Sequence, residues 1–175
     1  MPRSILRAVA LPVVLIALSA CNRNPAADAE RTLENARRES QVISTKLAAL
    51  PARCAVGDAD ATAGQWIEAR TAAGEPGQLY TYVFTFTPSI RAAAFRVALN
   101  ANALQNLEKV ETRDAAGTWT VASTGAPAGA PTGCEFVKMA RRFAAGERDV
   151  AALRVTVRPD REKVIVAEPR LLKAD

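Results

Sequence analysis

Three cysteines and no histidine occur among the 175 residues of this chain, and these two facts decide most of the chemistry open to it. Without histidine there is no ordinary general base at neutral pH, no Ser-His-Asp or Cys-His nucleophile, and no imidazole ligand for zinc. Carboxylates remain. The stretch "GDAD" sets Asp58 and Asp60 two residues apart, as calcium ligands often are, yet the other ligands of a calcium loop are missing, so a solvated turn is the expected meaning. Asp58 or Asp60 with Glu68 is the nearest approach to a glycosidase-like acid/base pair. Any domain of this size offers such pairs by chance. The expectation is a chain with no catalytic residue, no metal site and no cofactor.

The cysteines are more informative. Arg3 and Arg7 precede the apolar run "AVALPVVLIAL", residues 8–18, which ends in small side chains just before Cys21. That is the layout of a secretory signal, and the run falls short of the roughly 20 residues a spanning helix needs. Leu18-Ser19-Ala20-Cys21 resembles the lipobox of bacterial lipoproteins. The resemblance implies that residues 1–20 are removed, that the Cys21 thiol carries a diacylglyceryl group, and that the new amino terminus is acylated. Two or three acyl chains, at about 0.8 kcal/mol per buried methylene, hold a protein on a membrane in practice permanently. Asn22 follows the cysteine where Asp would imply retention in the inner membrane. The resemblance therefore places the protein in the cell envelope, on the outer membrane and facing the periplasm, with residues 21–25 as anchor and short tether.

Loss of the leader takes two arginines with it and lowers the formal charge from +5 to +3, too mild a balance to indicate nucleic acid. About 155 residues remain, enough for one domain with a proper core. Cys54 and Cys134 are then an even pair in a compartment that permits disulfides, and one bridge closing a loop of about 80 residues is expected. Two separate buried thiols are the alternative.

The elements that must position these groups come in two kinds. Asn24-Pro25 suits a helix start, acidic Asp28 and Glu30 precede basic Arg37, Arg38 and Lys46 along the dipole, and Pro51 stops the run. Ala29, Leu33, Ala36, Ser40, Ile43, Leu47 and Leu50 recur at alternating spacings of four and three, so residues 26–50 read as one amphipathic helix. Its seam is expected to pack on its own domain, with pairing to a partner helix as the alternative.

From residue 52 to 175 the period becomes two. In "QLYTYVFTFTP", Tyr80, Tyr82, Phe84 and Phe86 share one face, a strongly strand-forming composition. "AAFRVALN" alternates too, with Phe95, Val97 and Leu99 on one side, although its alanines also suit a helix. "LEKVETR" and "TWTVAS" flank "DAAG", where Gly117 supplies the unusual backbone angle of a hairpin. "ALRVTV" and "KVIVAEP" flank "RPDRE", read as a last hairpin with Pro159 in its turn. "TGAPAGAPTG", residues 124–133, reads as a mobile loop without packing side chains. Five or more strands with close reversals predict a mainly β fold, an antiparallel β-sandwich preceded by the helix. An α+β fold with an antiparallel sheet is the alternative.

Residues 90–170 are similar to the discoidin, or galactose-binding-like, sandwich family. Its "V-x-x-S-x-D-G-x-x-W" hairpin is matched by Val110, Asp114, Gly117 and Trp119, and its final "I-x-E-I" strand by Val166 and Glu168. The chain departs from the family in carrying Cys134 mid-domain and in lacking an aromatic sugar platform among its loops, so the resemblance implies the fold and leaves the ligand open.

Arg154, Arg158, Arg161 and Lys163, with Arg141-Arg142 nearby in sequence, form the main local basic concentration. On a strand with Leu153, Val155 and Val157 inward, Arg154 and Arg158 point outward together. A solvated face is one meaning; a surface for acidic wall polymer or lipid headgroups, with Trp119 as a neighbouring ligand contact, is the other. Trp66 and Trp119 otherwise read as packing residues. The function expected is a membrane-anchored, non-catalytic binding module for carbohydrate, cell wall or protein. An accessory or assembly lipoprotein of an envelope complex is the alternative, and a carboxylate-dependent hydrolase the remote one.

Overall fold

The computed structural model describes residues 25–57, 64–75 and 78–174. Cys21 and the leader, and also Asp58 and Asp60, lie outside the described residues. The chain divides into two units, Met1–Val42 and Ile43–Asp175. Helix α1 (Pro25–Ala48) carries Asp28 in its first turn and Lys46 in its last, the polarity that complements the helix dipole. In the first unit Ala29, Leu33, Ala36 and Ser40 are all exposed. In the second, Leu47 is buried against Ala98 and Phe136, with Ile43 and Leu50 beside them. Within the second unit the end of the seam, Ile43, Leu47 and Leu50, thus packs on the sheet. Lys138 Nζ donates to the Leu47 carbonyl at 2.9 Å, satisfying one of the carbonyls a helix end leaves open, and Lys46 pairs with Glu135.

Among the described residues nine strands follow: β1 (Ala55–Gly57), β2 (Trp66–Glu68), β3 (Thr71–Glu75), β4 (Tyr80–Asn100), β5 (Leu107–Arg113), β6 (Trp119–Thr124), β7 (Phe136–Arg142), β8 (Arg148–Val157) and β9 (Val166–Lys173), with a short helix α2 (Ala101–Gln105) after β4. All pairs are antiparallel except β1 with β7. The first half of β4 lies between β3 and β8, and β8 continues to β5 and β6. Its second half lies between β7 and β9, and these continue to β1 and β2. The result is an antiparallel β-sandwich in which one 21-residue strand belongs to both layers.

The two alternating runs read as separate strands are thus one. The reason is local: the pairing of β4 with β8 shifts between Thr85 and Ile90, and the chain bends there without reversing. Against β9, two residues of β4 from Ala92 to Ala94 oppose one step of the partner, a bulge that moves the inward parity. Tyr82, Phe84, Phe86 and Ala92 face the core before it, and Phe95, Val97 and Leu99 after it. Val110, Met139, Val150, Leu153, Val155 and Leu171 close the core from the other strands. Each of these large side chains contributes roughly 1.5–3 kcal/mol by leaving water.

Two further readings change. β8 and β9 do not pair, because both edges of β8 are taken by β4 and β5 while β9 pairs with β4 and β2; residues 158–165 cross between the layers and form no hairpin. Asn100 anchors that crossing. Its side-chain oxygen accepts from Ala103 N and Ile165 N, each at 3.0 Å, and its amide donates to the Lys163 carbonyl at 2.7 Å. Asn100 also settles residues 90–106 as strand up to itself and helix beyond, since it caps α2. The 124–133 loop, expected to lack packing side chains, buries Pro127 and lays Ala130 on the core. Cys54 and Cys134 form a disulfide with Cα atoms 5.8 Å apart, joining the approach to β1 to the end of that loop.

Candidate functional site

The expected hairpin exists, since β5 and β6 pair across Asp114–Thr118. Asp114 Oδ1 accepts the Thr118 N–H at 2.8 Å and Gly117 adopts φ 93°, which a glycine allows at no steric cost. This hairpin carries Trp119 to Arg154. The guanidinium carbon of Arg154 lies 4.0 Å from the Trp119 ring centroid, and that of Arg113 lies 5.3 Å from it. Arg154 Nε also donates to Glu111 at 2.8 Å, and Lys109 Nζ reaches the other oxygen of Glu111 at 2.9 Å. Burial opposes ionisation of Glu111, whose side chain is 6% exposed, but hydrogen bonds and charge from Arg154 and Lys109 outweigh it and hold the carboxyl below its usual range.

Of the expected basic face, the structure brings Arg154 and Trp119 together and engages Arg154 with Glu111 and, at 3.9 Å, Glu75. Arg158 pairs with Glu108. Arg161 and Lys163 stand in the exposed crossing. Trp66 has a similar neighbour on the outer side of the other layer, with Arg96 4.5 Å from its ring centroid. Burial, and then the like charge of Arg170, lower the Arg96 pKa, with Glu168 opposing. Both tryptophans thus have a guanidinium on a ring face, where cation–π attraction holds it.

A different place has the shape of a site. The chain passes between layers twice side by side, once at Ala69–Arg70 between β2 and β3 and once at the bend of β4. Hydrogen bonds from Arg70 N to Thr85 O at 2.8 Å and from Ala69 N to Pro169 O at 3.2 Å fix the first passage against the second and against β9. Between them lies a solvent-open cavity of about 410 Å³, within the roughly 300–1,000 Å³ usual for small-ligand sites. Gln65, Ile67, Glu68 and Arg70 form one wall, Phe86 to Arg91 the other, and Lys173 stands at the end of β9. Phe86 is buried in the floor, while Ile67 and Ile90 are half-buried. Glu68 is the one carboxylate among the described lining residues, and it faces Arg170 at 4.0 Å. Paired-carboxylate hydrolysis needs a second.

Sequence reasoning singled out Glu68 and missed the others, because they come from three separated segments with no shared motif. The available signal was Pro88: a proline inside an alternating run marks an interruption of the ladder, and the bend it marks builds the second wall. A second cavity, of about 460 Å³, carries Asp114, Glu147 and Asp149. There Asp114 is held in its turn and Glu147 pairs with Arg91 at 3.3 Å. Among the described residues no group of three or more His, Cys, Asp or Glu side chains is placed to hold a metal ion.

Fold and cavity together define an antiparallel β-sandwich domain with a ligand-sized opening at its inter-layer bend. No protein-family model matches the chain, and no curated protein does. Solved structures similar to it include CpGH89CBM32-6 produced by Clostridium perfringens, at TM-score 0.41 and 12% identity over 61% of this chain and 79% of that one. CpGH89CBM32-4 from the same organism, in complex with GlcNAc-α-1,4-galactose, is similar at TM-score 0.35 and 9% identity over 65% and 92%. At TM-scores below 0.5 these likenesses carry nothing about this chain's ligand.

Proposed function

We propose that this chain is a lipid-anchored, non-catalytic binding module of the bacterial cell envelope. Cys21 carries the acyl chains, on the outer membrane and facing the periplasm, and the domain from Ile43 onward presents a site for carbohydrate or cell-wall polymer. The observation that carries the reading is the 410 Å³ cavity: an apolar floor rimmed by amide, hydroxyl and charged groups, with a single carboxylate among the described lining residues, suits binding a polyhydroxyl ligand. The absence of histidine from the sequence removes most other catalytic routes.

Two measurements test it. Cells fed labelled palmitate should yield labelled protein, and Cys21→Ala should abolish the label. Purified sacculi should sediment the full-length protein, and Ser89→Trp, which fills the cavity from an exposed position, should prevent it. Loss of sedimentation in Arg154→Ala/Arg158→Ala with normal behaviour of Ser89→Trp would move the site to the basic face. A second reading, an assembly lipoprotein of an envelope complex, draws on the exposed half of the helix seam at Ala29, Leu33 and Ala36. Crosslinking from Leu33 to an envelope protein would favour it.

A further inference from the structure

We propose that the ligand of the inter-layer cavity is an acidic sugar, a glycan unit bearing a carboxylate, and that Arg70 and Lys173 are the residues that recognise it. This rests on the binding-module reading above and names its ligand class. Four charged side chains line the cavity: Arg70, Arg91, Lys173 and Glu68. Two are already engaged, Arg91 with Glu147 at 3.3 Å and Glu68 with Arg170 at 4.0 Å. Arg70 and Lys173 have no acidic partner within 4.0 Å among the described residues, so the cavity presents two exposed cations that no described carboxylate neutralises.

Their backbones are pinned while their heads are exposed. Arg70 N donates to Thr85 O at 2.8 Å, and Lys173 N to Gln65 O at 2.9 Å, so the two stems rise from fixed points, one in the passage between β2 and β3 and one at the end of β9, beside one apolar floor. A carboxylate seated above Ile67 and Phe86 exchanges water for a two-point guanidinium contact and an ammonium, in surroundings where charge attraction exceeds its value in bulk water. Gln65 and Ser89 supply donors and acceptors for ring hydroxyls. A neutral sugar in the same place offers the two cations only hydroxyl acceptors, weaker partners than a carboxylate, and should bind less tightly.

Calorimetric titration of the full-length protein in detergent micelles with trigalacturonate, and with its fully methyl-esterified form, separates charge from sugar. The free acid should bind about tenfold or more tighter than the ester, the contribution expected of charge-assisted hydrogen bonds. Arg70→Ala and Lys173→Ala should each erase most of that preference, and Lys173→Arg should retain it. Both positions are exposed, so an unchanged melting temperature is the control for folding. Equal affinity for acid and ester overturns the acidic-sugar assignment and leaves the binding module standing. Failure to bind either probe, by a protein that still sediments with sacculi, also overturns this assignment alone. Failure in both assays overturns the functional reading with it.

Discussion

Arg154 donates through Nε to the Glu111 carboxylate at 2.8 Å, and this contact turns the outer face of the first layer from an open basic strip into a neutralised network. Lys109 and the Trp119 ring complete it. An arginine that the alternation of β8 points at solvent is held on the outer face by the carboxylate directly opposite it on β5.

The Glu111 carboxyl is held below its usual range in the folded protein, so its stabilisation is whole above the unfolded carboxyl's titration near pH 4.3 and is lost as pH falls through the lower folded value. Glu111→Gln should cost about 2 kcal/mol at pH 7. The difference from the parent should shrink as the pH is lowered towards 3. Urea unfolding at both pH values measures it, and an equal difference at pH 3 and pH 7 would show that the pair is not coupled to protonation.

Gly57 sits at φ 115°, and a Cβ there would stand 1.8 Å from the Ala140 carbonyl oxygen. Gly57→Ala must therefore distort the parallel pairing of β1 with β7, at a cost of at least ~2 kcal/mol. Thermal unfolding with amide exchange at Val56 should show lower stability and faster exchange; an unaltered melting curve would mean that β1 is not paired as described.

The Cys54–Cys134 bridge closes a separation of 80 residues, for which the chain-entropy model gives roughly 4 to 5 kcal/mol as an upper value. Replacing both cysteines by alanine should lower the urea midpoint by a large fraction of that. Alkylation without reductant should label neither residue before or after denaturation. Labelling of both on denaturation alone would remove the bridge.

Much of the sandwich was legible because its signals are local. Phe84 and Phe86 alternate with threonines, and Asp114 and Gly117 set a turn within four residues. What could not be read depends on which strand takes which neighbour. The alternation around Tyr82 and that around Phe95 are each visible, but the stretch that joins them bends without reversing between Thr85 and Ile90, and the inward parity changes at the bulge against β9 between Ala92 and Ala94. Arg158 and Val166 flank what reads as a tight reversal, yet β8 has both edges filled and β9 is drawn to the other layer. The cavity was hidden for the same reason. Gln65, Arg70, Arg91 and Lys173 are unremarkable one by one, and they meet only because the two passages between layers lie side by side.

The central claim is that ligand enters at that meeting point. Amide chemical-shift mapping of the labelled full-length protein, titrated with soluble peptidoglycan fragments, tests it most directly. The account predicts saturable shifts concentrated at residues 65–70, 86–91 and 173. Shifts confined to Trp119, Arg154 and the 158–163 crossing, or no shifts at saturating fragment, would contradict it.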